Sequence, residues 1–281
     1  MKRISQIIDA RPASDGDGVK IQRIAGRSVL AVLDPYLMID EINSDDAADY
    51  IGGFPEHPHR GFETITYMKA GRMRHRDHMG NEGVIGAGDL QWMTAGAGVL
   101  HSEMPEQEAG LLHGFQIWLN LPAGEKMKPA AYRDILSADI PEQALPAGGR
   151  VRVLAGEVNI NELRLAGAAP ALSTAPVLLD VRLTPGESLE LEVDDSKSIL
   201  VYIYDGSTET LGLRQLAVYD GEGPVQLQAG EHGAQFLVLG GRPIREPIVQ
   251  YGPFVMNSAQ QIEQALDDYR RNVLVAQPAS V

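Results

Sequence analysis

The 281-residue sequence predicts an all-β protein of two barrel-like halves with one helix near residue 260. Three observations predict it. Short apolar, β-branched runs recur along the chain, punctuated by turn dipeptides, which is the signature of a sandwich or barrel. The layout of the first half recurs after residue 175, which suggests a duplicated architecture without a residue-level repeat. A single stretch, 258–272, departs from strand periodicity toward a helical one.

In the first half the strand-like runs are 19–24, 62–68, 83–85, 89–93, 111–121 and 151–154. The turn Ala70-Gly71 separates two of them. Residues 137–175 interrupt the pattern with Pro141, Pro146, Gly148, Gly149 and Pro170, which reads as a linker with one or two connecting strands. A boundary near residue 140 divides the chain into domains 1–140 and 141–281. The second half offers runs at 177–183, 188–193, 198–204, 213–219, 224–227 and 235–239, with turns at Pro185-Gly186, Asp205-Gly206 and Asp220-Gly221. The helix begins at Ser258, with Gln261 at capping-box spacing. Ile262, Leu266 and Tyr269 then fall on one face. The helix is expected to end near Asn272 and to close the second domain, and residues 276–281 are expected to fray.

Composition narrows the function. With 24 basic and 38 acidic residues the net charge is −14, which disfavours direct binding to a nucleic-acid backbone. Arg72, Arg74 and Arg76 read as a solvated strand face. The absence of cysteine excludes disulfides, thiolate zinc sites and iron–sulfur clusters. No apolar run approaches membrane-spanning length, and residues 1–9 lack the apolar core of a signal peptide, so a cytoplasmic protein is expected.

The chemistry concentrates in two short pairs, His57-Pro58-His59 and His101-Ser102-Glu103. Residues two apart on a strand share a face, so each pair can aim both side chains at one point. Three imidazoles and a carboxylate make a competent transition-metal site with positions left for other ligands. The 42-residue separation of the pairs lets them meet across a barrel. Pro58 must then sit at a sheet edge or strand start. Gly61, Gly96 and Gly98 are expected to leave space and permit a turn beside the site. Glu63 shares the parity of His57 and His59, so spacing alone leaves Glu63 and Glu103 as rival carboxylates. His75 and His78 are expected to be exposed, His113 to face a core or cavity wall, and His232 to lie in the turn 230–233. None of these four is expected to be a ligand.

Longer stretches carry a family resemblance. His57-Pro-His-Arg-Gly-Phe-Glu-Thr64, His75-Arg-Asp77, Gly88-Asp-Leu-Gln-Trp-Met-Thr-Ala-Gly96 and His101-Ser-Glu-Met-Pro105 resemble the pirin family of the cupin superfamily. The stretch Glu246-Pro-Ile-Val-Gln-Tyr-Gly-Pro-Phe-Val-Met-Asn257 resembles the C-terminal signature of that family. The resemblance implies two stacked cupin (jelly-roll) β-barrels with a C-terminal α-helix. It implies one divalent transition metal, usually iron as Fe(II), in the first barrel only, with Mn, Ni, Co, Cu or Zn as alternatives. The ligands it implies are His57, His59, His101 and Glu103, although the generic cupin pattern would use Glu63.

Some pirins resemble quercetin 2,3-dioxygenases, which open the central ring of a flavonol with O₂ and release carbon monoxide. In that reading Glu103 or Glu63 is the general base for the flavonol 3-hydroxyl. Phe54, Trp92, Met93, Gln116 and Trp118 are candidates for an apolar substrate pocket. Other pirins resemble transcriptional co-regulators, which implies as the alternative an iron-binding, redox-sensing regulator acting through a protein partner. A third reading is a cupin of different chemistry, such as a manganese oxidase or an isomerase.

Overall fold

The computed structural model describes residues 1–26, 28–161, 163–169 and 172–275; the segment 276–281, expected to fray, lies outside them. The chain folds into two compact β units, and neither is one continuous stretch. One unit comprises residues 1–11, 31–35 and 138–243; the other comprises 12–30, 36–137 and 244–281. The expected division at 140 lies close to the crossing at 137/138, but both terminal segments are exchanged relative to it. Among the described residues no helix is long and apolar enough to cross a membrane.

The unit built mainly from 138–243 is an antiparallel sheet with a side branch of paired strands. Its strand order is Arg3–Asp9, Gln215–Asp220, Ser198–Thr208, Val225–Gly241, Val177–Leu183, Arg150–Ala155 and Glu142–Ala144. The expected strands 224–227 and 235–239 are one strand, Val225–Gly241. Its first part pairs with Ser188–Glu192 and its second part with Val177–Leu183 and Ser198–Thr208. His232 is therefore an exposed strand residue and not part of a turn. Asp205-Gly206 is likewise a bulge inside Ser198–Thr208: Gly206 has φ +66°, and a Cβ there would lie 2.3 Å from the Gly233 carbonyl oxygen. The interior is one aliphatic cluster that includes Val151, Val153, Leu179, Val181, Val201, Ile203 and Phe236.

The other unit has two large antiparallel sheets and a two-stranded one, Val249–Tyr251 with Phe254–Met256. A seven-stranded sheet runs Ala131–Ile135, Leu90–Thr94, Phe62–Ala70, Leu112–Asn120, Tyr36–Ser44, Val19–Ile24 and Arg11–Asp15. A four-stranded sheet runs Phe54–His59, Val99–Pro105, Met73–Asp77 and Glu82–Ile85. Their inner faces share a core: Val19, Ile21, Ile42, Met68 and Leu112 pack with Met73 and Ile85.

The helix Ala259–Arg270 forms with the capping box that the sequence predicts, Ser258 with Gln261. It belongs to this unit and not to a domain 141–281. The physical reason is its buried face: Ile262 and Ala265 pack with Phe254, Met256 and Leu274. Buried Arg60 anchors it further, through Asp268 at 2.7 Å and the Leu274 carbonyl at 3.2 Å.

Candidate metal centre

The two ligand pairs meet as neighbouring strands of the four-stranded sheet rather than from opposite walls. In the antiparallel register His101 lies opposite His57 and Val99 opposite His59. Residues at matching parity then put His57, His59 and His101 on one face. The register shifts between His101 and Glu103, where Glu103 comes opposite Phe54. Phe54–His59 is the edge strand of its sheet, the position at which Pro58 costs no ladder hydrogen bond.

The three imidazoles converge by their Nε2 atoms. His57 Nε2 is 3.0 Å from His59 Nε2 and 2.9 Å from His101 Nε2. The other nitrogens set the tautomers. His57 Nδ1 lies 2.8 Å from the Pro55 carbonyl and His59 Nδ1 3.4 Å from the Pro253 carbonyl. A carbonyl can only accept, so each Nδ1 carries a proton, and in the neutral form of either ring the Nε2 lone pair is the one that faces the other. Two lone pairs facing at 3.0 Å repel unless a cation lies between them. Burial and the neighbouring imidazoles hold His59 and His101 well below the ordinary histidine range, so they are neutral near pH 7. Imidazoles that converge by their Nε2 atoms are what a divalent transition metal needs, and the residues fit such an ion.

The two carboxylates separate cleanly. Gly61, at φ +93°, lies between the strand Phe54–His59 that carries the histidines and the strand Phe62–Ala70 of the seven-stranded sheet, which carries Glu63. The parity that appeared to join Glu63 to His57 and His59 is broken there. Fully buried Glu63 accepts from Trp92 Nε1 at 2.7 Å and Thr94 Oγ1 at 2.9 Å, and pairs with Lys128 Nζ at 2.9 Å. Both of its oxygens are thus engaged, by partners that lie away from the histidine cluster's own contacts. Glu103 instead forms a second close group with His101 and His75, and His101 joins this group to the tri-histidine cluster. Glu103 accepts from Gln116 Nε2 at 2.8 Å and lies 3.0 Å from Thr66 Oγ1.

His75 corrects the expectation of exposure. It is 1% exposed, opposite Glu103 in the register of Met73–Asp77 with Val99–Pro105. The burial of Met73–Asp77 alternates, with Met73, His75 and Asp77 inward. That alternation is the signal available in the sequence, masked there by the charged Arg74 and Arg76. His78 is half-buried, its Nδ1 accepting from the Leu100 amide at 3.3 Å. His113 lies 3.1 Å from Glu41.

The glycines do not open space beside the histidines. A Cβ on Gly61 would lie 2.0 Å from the Val255 carbonyl oxygen, on Gly96 2.1 Å from that of Lys128, and on Gly98 2.3 Å from that of Leu274. They permit close backbone approach instead. Lys126, which no sequence pattern singles out, fixes the same region: its buried ammonium donates to the carbonyls of Gly61 and Val255 and to Asn120 Oδ1. Burial brings its pKa down to about 8.

The pocket candidates divide. Phe54 and Gln116 line a small, mostly apolar cavity with Met68, Met73 and Phe115, and Glu103 and Thr66 form its polar wall. Trp118 flanks the cluster, its ring centroid 5.4 Å from that of His59. Trp92 is committed to Glu63, and Met93 is buried with Ala95 and Val99, so these two are interior packing.

The pirin family model matches residues 18–119, and the model of the pirin C-terminal cupin domain matches 178–275. The chain belongs to the pirin family. A Pseudomonas aeruginosa relative, provisionally named a quercetin 2,3-dioxygenase, is 46% identical over 278 residues, covering 96% of this chain and 97% of its own. Human pirin is 36% identical over 279 residues, covering 96% and 92%. A solved structure of a quercetin 2,3-dioxygenase from Acinetobacter baumannii superposes with a TM-score of 0.89 at 34% identity, covering 99% of each chain. Membership of this family confirms the expected class, a two-domain cupin-type all-β fold.

Proposed function

We propose that this pirin is a metal-dependent dioxygenase that opens the central ring of a flavonol such as quercetin. Both atoms of O₂ enter the products and one ring carbon leaves as carbon monoxide, so the reaction requires no external reductant. The observation that carries this reading is the meeting of His57, His59 and His101 with His101 shared by the group that holds Glu103. Relatives named for quercetin dioxygenase activity support the same class of chemistry.

The proposed ligands are His57, His59, His101 and Glu103, and Fe(II) is the proposed ion, with Mn, Ni, Co, Cu or Zn able to occupy the same donors. When bound, such an ion acts as a Lewis acid on the flavonol 3-hydroxyl and lowers its pKa. The remaining work falls to the protein. Glu103 receives the hydroxyl proton, acting as general base from the polar wall of an otherwise apolar cavity. Gln116 and Thr66 hold that carboxylate in place. Phe54 and Trp118 offer apolar faces to a planar ligand. Burial of His59 and His101 keeps water from those two donors, while His57 is half-buried.

The test is aerobic incubation of the purified chain, loaded with each candidate metal in turn, with quercetin. Loss of the visible flavonol absorbance is the expected result, and no loss with any metal overturns the proposal. The alternative, an iron-binding redox regulator acting through a protein partner, draws on relatives that carry only the name pirin. It would be favoured by stable metal binding without turnover.

A further inference from the structure

We propose that His75, His101 and Glu103 form a second metal position that overlaps the tri-histidine one through His101; this rests on the reading that the barrel binds a divalent transition metal. The three residues each offer a ligand atom within 4.8 Å of the others. Register explains why. His75 and Glu103 are directly opposed on antiparallel strands, and His101, two residues from Glu103, shares its face. All three are buried, between 1% and 3% exposed.

The observation that asks for a ligand is His75 itself. Neither of its ring nitrogens has a hydrogen-bond partner, although both are inaccessible to solvent. A buried polar atom without a partner is destabilising, so a partner is expected there. The approach of His75 Nδ1 to Glu103 Oε1, 3.4 Å, is long for a hydrogen bond. The neighbouring carboxylate Asp77 is not available to compete, since it accepts from the amides of Met79 and Asn81 and from Asn81 Nδ2. Two imidazoles and one carboxylate suit the same hard-to-borderline divalent ions as the outer cluster. The ion thus has two adjacent positions: His57 and His59 serve only the position proposed above, His75 only the second, and His101 and Glu103 both.

The experiment is titration of the metal-free full chain with Co(II), following its visible absorption bands and the bound stoichiometry. The wild type is compared with His57→Ala/His59→Ala and with that double variant carrying His75→Ala or His75→Phe. The double variant is expected to keep Co(II) at weaker affinity with altered bands, and both triple variants are expected to lose it. His75→Phe retains a ring in the buried site while removing both nitrogens, and circular dichroism confirms that each variant is folded. Loss of all binding in the double variant overturns the proposal, as does binding that survives removal of His75. An ordered water as the partner of His75 predicts that second outcome. No Co(II) uptake by the wild type would instead overturn the metal reading of the whole barrel, so the two failures are distinguishable.

Discussion

The two β units of this pirin use similar antiparallel sheets and differ in what they bury. The unit of residues 138–243 encloses a broad aliphatic cluster running from Leu145 to Val238. Its buried polar residues include Arg152, Asp180 and Glu187, and none of its described residues is a buried histidine. The unit carrying the ligand pairs buries His59, His75, His101, Glu63, Glu103, Arg60 and Lys126 among smaller apolar clusters. Buried polar groups must be paired or they destabilise the fold. One barrel is thus held chiefly by hydrophobic burial, while the other keeps an interior of imidazoles and carboxylates that hydrogen bonds and ion pairs satisfy except at the proposed metal donors. The difference teaches that a shared strand pattern places residues, and the residue types placed there decide whether the interior serves stability or chemistry.

The comparison breaks most visibly at His101, which belongs to both donor groups. His101→Ala is expected to abolish metal uptake and flavonol turnover together, a larger effect than the roughly 10–100-fold loss of affinity typical of residues that only support ligands. Metal analysis of the purified variant checks it. Retained stoichiometric metal would remove the histidine unit's special status.

In the aliphatic unit Phe236→Ala should cost about 3–5 kcal/mol by leaving a cavity in a fully buried cluster. Urea unfolding reads that loss, and metal stoichiometry of the folded variant should not change. A concurrent loss of metal would mean that the two interiors do not serve separate roles.

Glu63→Gln sharpens the contrast within the histidine unit. It removes the charged acceptor of Trp92, Thr94 and Lys128 and is expected to destabilise by about 1–3 kcal/mol while leaving metal uptake intact. A variant of normal stability that no longer binds metal would return Glu63 to the ligand set.

The smallest expected effect is on pH dependence. His59 and His101 have folded-state pKa values pushed down from 6.5 by burial. The unfolded chain therefore binds more protons once pH falls below about 6.5, and stability of the metal-free protein declines there. Each histidine contributes at most about 1.4 kcal/mol per pH unit below that point. Thermal unfolding between pH 8 and pH 5 measures the decline, which His59→Ala should lessen. A flat profile would mean that these rings are not held neutral by the fold.

Much of this was legible in the sequence, and the failures have physical causes. The strands Val19–Ile24 and Val177–Leu183 and the capping box at Ser258 are local patterns of apolar period and cap chemistry. The convergence of His57, His59 and His101 follows from strand parity together with pairing. Parity failed at Glu63 because Gly61 reverses the chain between two sheets, a property of one φ angle. His75 was obscured by arginine neighbours on the opposite face of a short strand. Strand Tyr36–Ser44 opens on the apolar run Tyr36–Ile39 but continues through buried Asp40 and Glu41, the first of them paired with Arg23, and these charges interrupt its strand pattern. The exchange of the terminal segments depends on pairs such as Arg60 with Asp268 and Arg3 with Asp220, which are more than two hundred residues apart and leave no trace in local sequence.

The central claim, that the histidine unit performs flavonol ring opening, is tested most directly by carbon monoxide release. The Fe(II)-loaded chain incubated aerobically with quercetin should yield carbon monoxide in proportion to the flavonol consumed, and none without O₂. Flavonol loss without carbon monoxide, or equal release from His101→Ala, would contradict it.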